Sequence, residues 1–159
     1  MKNLNMLIWF AGLVDGEGCF TLSIRKNHKS ALKVSPMFLI QLKDGNWVKK
    51  VTRVLEELKI KYYTRNRKNQ VEISVGYWKN VLPLVQALIS HSIIKKPLMR
   101  KFLSHYNPRS VRNRFVPPDP KIVKKTAELV DFVRKFNKGK NRPYKWDGEK
   151  VLEFFGVKE

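Results

Sequence analysis

Between Leu4 and Val14 the chain carries one polar side chain, Asn5. At helical spacing Leu4, Leu7, Ile8, Ala11 and Gly12 share one face, while Met6, Trp9, Phe10, Leu13 and Val14 make the opposite side apolar too. A helix that is apolar all round has to be covered on most sides, inside a core or between subunits. The run is too short to span a bilayer. It leads into Asp15-Gly16-Glu17-Gly18 instead of a small-x-small cleavage site, and a lipoprotein reading at Cys19 would put Glu17 where a small residue belongs, so the segment is not an export signal. Gly12 and Gly16 place two missing side chains on one helical face, where another backbone could come close. Spacing alone fits equally well two glycines that end a core helix.

After Gly18 the period falls to two. Phe20, Leu22 and Ile24 alternate with Thr21, Ser23 and Arg25 as in a half-buried strand. A polar turn at 27–30 precedes a second alternating stretch, Leu32, Val34, Phe38, Ile40 and Leu42, in which Pro36 suggests an edge or a bulge. Asp44-Gly45-Asn46 breaks the strand, and Val48, Val51, Val54, Leu55 and Leu58 mark a helix. Strands follow at 61–67 and 70–76, then a helix at 78–89 and another starting at Lys96-Pro97, where proline suits a first turn. The expected class is α+β: an α-β-β-α-β-β-α core over 1–107 with an antiparallel sheet. A basic extension of the same domain, 108–159, adds helices at 121–136 and 147–155, the second capped by Asp147.

The charge narrows the partner. Among 159 residues, 33 Lys+Arg against 13 Asp+Glu leave a formal net charge of +20. Such an excess opposes compaction unless a polyanion neutralises it. Charge alone would equally suit a ribosomal, RNA-binding or membrane-surface protein. The lone Cys19 excludes an intramolecular disulfide and suits a reducing, intracellular compartment. His28, His91 and His105 lie too far apart for a zinc site. No Walker loop, GxSxG elbow or HExxH helix occurs.

What remains for chemistry is the run Phe10-Ala11-Gly12-Leu13-Val14-Asp15-Gly16-Glu17-Gly18. It resembles the motif of the LAGLIDADG homing endonucleases, identical at Ala11, Gly12, Leu13, Asp15 and Gly18 and conservative at Phe10, Val14 and Glu17. Its setting, a helix leading into a β-hairpin, is also the family's. The resemblance implies that two motif helices pack together through their small residues, with Leu7, Ile8, Ala11, Gly12 and Asp15 as the expected dimer interface. It further implies that the acid at the eighth motif position, Glu17, holds a divalent metal at the scissile phosphate, with the Gly16 carbonyl as companion ligand. Phosphodiester hydrolysis needs such a cation to neutralise charge and acidify the attacking water. Mg2+ suits carboxylate oxygen, with Mn2+ as a substitute. Asp15 corresponds to the motif's structural acid. By position, Asp44 (or Gln41) corresponds to the residue that orders water, and Lys96, with Lys95 as neighbour candidate, to the lysine that stabilises charge.

A second motif is absent; Trp146-Asp147-Gly148-Glu149 echoes it but lacks the Ala-Gly helix. One acid per chain and two strands to cut imply a homodimer on a nearly palindromic double-stranded DNA site. If even-numbered residues of the first hairpin face the core, Thr21, Ser23, Arg25, Asn27, Lys33, Ser35 and Gln41 face outward. From the second hairpin Gln70, Glu72 and Ser74 join them, with Tyr63, Arg65 and Arg67 as companions. A polar β-ribbon of this kind fits the major groove, where Arg suits guanine and Asn or Gln suits adenine. A merely solvated sheet face is the simpler alternative. Arg109, Arg112, Arg114, Lys138, Lys140 and Arg142 suit phosphate contacts that carry no sequence information. Relatives of this kind are usually encoded within introns or inteins. The rival reading on the same fold is a non-cleaving RNA maturase or DNA-binding regulator, which would have no use for an acid at position 17.

Overall fold

The computed structural model describes residues 4–28, 31–43, 45–105, 119–137 and 145–158. Helix α1 (Leu4–Glu17) runs into strand β1 (Cys19–His28), which turns back as β2 (Ala31–Leu42). Helix α2 (Gly45–Glu57), the hairpin β3 (Tyr63–Arg67) and β4 (Gln70–Gly76), α3 (Trp78–Leu88) and α4 (Lys96–His105) follow. Helices α5 (Pro120–Phe136) and α6 (Gly148–Phe155) end the order. This is the α-β-β-α-β-β-α plan with added helices. Among the described residues no helix is long and apolar enough to cross a membrane.

The four strands form one antiparallel sheet in the order β1-β2-β4-β3. Its register separates the two faces. Phe20 opposes Phe38 and Ile24 opposes Val34; on the other side of β2, Phe38 opposes Val75 and Ile40 opposes Ile73. Directly opposed residues share a face, so these apolar pairs form one side, and the helices cover it. Pro36 does not interrupt β2. Pairing with β4 stops at Met37↔Gly76, so the proline stands where β2 has become an edge strand. The irregularity lies instead between Lys26 and His28, at the end of the first hairpin.

An aromatic chain ties helices to sheet. Phe10 of α1 meets Phe38 edge-on at 6.3 Å, Phe38 meets Phe20 at 5.0 Å, and Phe20 meets Phe102 of α4 at 6.0 Å. All four are fully buried. Ring pairs of this kind add about 0.5–1.5 kcal/mol each beyond their burial. Gly18, between α1 and β1, is a steric requirement. A Cβ there would lie 2.7 Å from the Val14 carbonyl oxygen and 2.9 Å from a Phe38 ring carbon. The helix therefore passes into the strand with no space to spare.

The C-terminal helices share this core. Leu129 and Val133 of α5 belong to the main cluster, while Val123, Ala127 and Val130 join Val151 of α6 beneath Leu22, Ile24, Leu32 and Val34. Asp119 caps α5 by accepting from Lys121 N at 2.8 Å, and Asp147 caps α6 by accepting from Lys150 N at 2.8 Å. The cap expected at Asp147 is present.

Candidate functional site

Helix α1 puts its two acids in its last turn, where the carbonyl ends of the helix already carry partial negative charge. Their surroundings differ sharply. Asp15 turns to its own chain and accepts from Ser92 Oγ at 2.5 Å, Ile93 N at 2.7 Å, Lys95 N at 2.9 Å and Ile94 N at 3.2 Å. Burial pushes its carboxyl up, but the donors from Ser92, Ile93, Lys95 and Ile94 outweigh that and hold it below the usual carboxylate range. Asp15 thus pins the turn that enters α4. Glu17 is exposed, and no hydrogen bond or ion pair engages its carboxylate among the described residues. Gly16 beside it is exposed as well.

The Asp15 pin brings the 92–95 turn, and hence Lys95 and Lys96, to the Glu17 end of α1. Lys96 is half-buried at the first position of α4. Lys95 is half-buried with its Nζ 5.9 Å from the centroid of the Phe136 ring. Asp44 lies outside the described residues. Gln41, the other water-ordering candidate, lies on the open face of the sheet and bonds to Glu72 and Gln70.

The helix face expected to meet a partner needs correction. Ala11 is 0% exposed and sits in its own core with Phe10 and Val14, and Leu7 packs partly against that core. Asp15 spends its carboxylate on the 92–95 turn. The exposed surface is the adjacent ridge of Leu4, Ile8, Gly12 and Gly16, spaced four residues apart, with Leu4 56% and Ile8 49% exposed. Position 11 lies off this ridge and faces the chain's own core. Around Gly12 and Gly16 an added Cβ would meet nothing within 4 Å. The described residues offer no steric reason for glycine at either position.

Away from the helices, the sheet presents the polar side that the alternation predicts. Arg25 opposes Lys33, Ser23 opposes Ser35 and Thr21 opposes Met37. Across the second half, Gln41 opposes Glu72, which opposes Arg65; Ser74 opposes Tyr63 and Gln70 opposes Arg67. All five β3 residues are exposed. Lys33 holds its Nζ 4.9 Å from the centroid of the Tyr77 ring, and Tyr77 itself has a left-handed backbone, φ 70°. Alternation could not reveal that Gln70, Gln41, Glu72 and Arg67 form one connected network, because register and side-chain reach decide it. The side chain of Asn27 lies outside the described residues, as do Arg109, Arg112, Arg114, Lys138, Lys140 and Arg142.

A sequence model of the LAGLIDADG endonuclease family matches residues 10–113. The fold is also similar to solved homing endonucleases. The I-CvuI enzyme shares 20% identity at a TM-score of 0.75, with 96% of each chain covered. The archaeal intron-encoded I-Vdi141I shares 18% at 0.72, with 94% of each chain covered. The group I intron-encoded I-CeuI shares 21% at 0.70, covering 98% of this chain and 78% of that one. Among curated proteins none matches the sequence. A motif helix ending in one engaged acid and one free acid, a β-hairpin beginning at Gly18, a polar antiparallel sheet and a family match over 10–113 converge, and this chain belongs to the LAGLIDADG endonuclease family.

Proposed function

We propose that the protein is a divalent-metal-dependent, site-specific double-strand DNA endonuclease that works as a homodimer on a nearly palindromic site. The division of labour between Asp15 and Glu17 carries this reading. One acid is consumed by four donors of its own chain, and the other has no partner among the described residues, at the negative end of the helix beside the exposed Gly16. Two carboxylates there would repel one another and the helix end. A cation at Glu17 offsets both effects.

The donor chemistry fits magnesium. Carboxylate oxygen from Glu17 and carbonyl oxygen from Gly16 are hard ligands, and a small protein ligand set leaves positions for water and phosphate. When bound, the metal would polarise the scissile phosphate and lower the pKa of the attacking water. Lys96 would offset charge developing at the phosphate, with its place set by the Asp15 pin. The solved relatives are consistent with divalent metal at such a site: I-CvuI was determined on DNA with magnesium, the DNA not cleaved, and with calcium.

The dimer follows from the glycines. Each glycine within a helix costs about 0.5–1 kcal/mol relative to alanine. Gly12 and Gly16 recover none of that through packing against the described residues of their own chain. A second α1 lying across the Leu4-Ile8-Gly12-Gly16 ridge would make use of the space and cover the two large exposed side chains. The polar sheet face of each subunit would then lie in the major groove of one half-site.

Selection for cleavage from a randomised DNA library should return a single long site with dyad symmetry, cut only when magnesium or manganese is present. Glu17→Gln should abolish cutting while a gel-shift assay still detects the complex. Unchanged cutting by Glu17→Gln would overturn the site. Sequence-specific binding with no cutting under any divalent metal would identify a non-cleaving relative.

A further inference from the structure

A carboxylate on a face that meets a polyanion is unfavourable unless it has another task, and Glu72 sits in the middle of the open sheet face. Its surroundings are specific. Arg67 approaches side-on, with Nε 3.1 Å from Oε2 and Nη2 donating to Oε1 at 3.3 Å. Gln41 Nε2 donates to Oε2 at 3.0 Å, and Gln70 Nε2 donates in turn to Gln41 Oε1 at 3.2 Å. The Glu72 side chain is only 14% exposed, whereas that of Arg67 is 47% exposed. The acid lies beneath its partners.

We propose that Glu72 is a positioning residue for DNA sequence discrimination, orienting Gln41, Gln70 and Arg67 into one fixed pattern of donors and acceptors for the major groove. This rests on the reading of the sheet as the DNA-binding surface. The geometry gives the reason. A glutamine amide is nearly symmetric in shape and can present either end to a base. An ionised neighbour accepts only, so Gln41 must turn Nε2 toward Glu72 and Oε1 toward Gln70. That leaves each glutamine both a hydrogen to donate and a lone pair to accept, the combination that matches adenine N7 and N6. Arg67 commits its Nε edge to the carboxylate and keeps Nη1 with the second Nη2 hydrogen, a pair that matches guanine N7 and O6. The hydrogen bond from Gln41, ahead of those from Arg67, also holds the Glu72 carboxyl below its ordinary range against the opposing effect of burial, so the accepting form persists at neutral pH.

The test is the isosteric Glu72→Gln in the full-length protein, read as the ratio of cleavage between the selected site and each single-base variant. The side chain lies on the face opposite the core, so the thermal midpoint should stay within a few degrees, and melting curves check that. Discrimination should fall about tenfold at the base pairs beneath Gln41 and Arg67 and stay constant elsewhere in the half-site. Arg67→Ala should lose discrimination at a subset of the same base pairs, and adding Glu72→Gln to it should cost nothing further there. On unrelated duplex DNA the released guanidinium should make the salt dependence steeper, by about 0.9 in logarithmic slope per subunit.

An unchanged profile in Glu72→Gln, or equal loss at every position, would overturn the inference. So would loss of one cytosine preference that survives in Arg67→Ala, because Glu72 would then be reading a base itself. Arg25→Ala and Ser35→Ala, on the same face but outside the network, separate the two levels of the argument. If they shift their own positions while Glu72→Gln shifts none, the positioning role falls and the DNA-binding face stands. If no substitution on the face alters the profile, the reading of the sheet falls with it.

Discussion

With four donors aimed at it, the Asp15 carboxylate serves the fold better ionised than protonated. Its folded-state pKa is depressed, so the stabilisation is present above the unfolded value, about pH 4, and is lost as pH falls through the folded one. Asp15→Ala should therefore lower unfolding stability by about 1–3 kcal/mol at neutral pH. The gap from the native protein should close below about pH 4. Urea titrations across that range measure both. Asp147, whose carboxyl is also lowered, first by the Lys150 backbone donor, adds an acid-sensitive contribution of the same sign. Glu17 makes no such contact among the described residues, and its replacement should leave the urea midpoint nearly unmoved while cleavage disappears. That contrast distinguishes a structural acid from a catalytic one in two measurements.

The three glycines that close α1 differ in what surrounds them, and the helix as an element makes the difference testable. Gly18→Ala would press a methyl group against the Val14 carbonyl and the Phe38 ring. It should cost about 1–3 kcal/mol, read as a lower thermal midpoint. Gly12 has open space around it. Gly12→Leu should leave the isolated chain folded and stop a second helix from approaching, so that sedimentation reports a monomer and cleavage of both strands is lost. A dimer that survives Gly12→Leu would move the subunit contact off this ridge. The sequence located α1 and its glycines well, because an unbroken apolar run and the change to a period of two after Gly18 are local properties. It placed Ala11 on the partner face, where the chain buries it, and it left open whether Pro36 marked an edge or a bulge, which the pairing resolves as an edge. Which side of an all-apolar helix is covered, and where a neighbouring strand ends, depend on elements distant in sequence.

For the molecule as a whole, gathering the helices on one side of the sheet leaves the other side free for a polyanion, and the formal charge of +20 supplies long-range attraction. Binding should fall steeply with salt. If a subunit pair neutralises about 6–10 phosphates, affinity should drop about 10³–10⁵-fold between 50 and 200 mM salt, with sequence preference preserved. Titrations on the selected site and on a scrambled duplex measure the two components. A shallow slope would mean that the basic surface faces something other than DNA.

The alternation in both hairpins, the caps and the motif from Phe10 to Gly18 could be read from the sequence because each is written in neighbouring residues. They determined the α+β class and the polar sheet face, and the motif's resemblance singled out Glu17 over Asp15 as the proposed metal ligand. Tertiary structure decided the rest. Asp15 finds its donors 77 to 80 residues away, and the Gln41–Glu72 contact spans 31. No local pattern encodes such distances. The place of Lys96 beside the motif helix, the burial of Ala11 and the grouping of Gln41, Gln70, Glu72 and Arg67 arise only when packing and strand register bring those segments together.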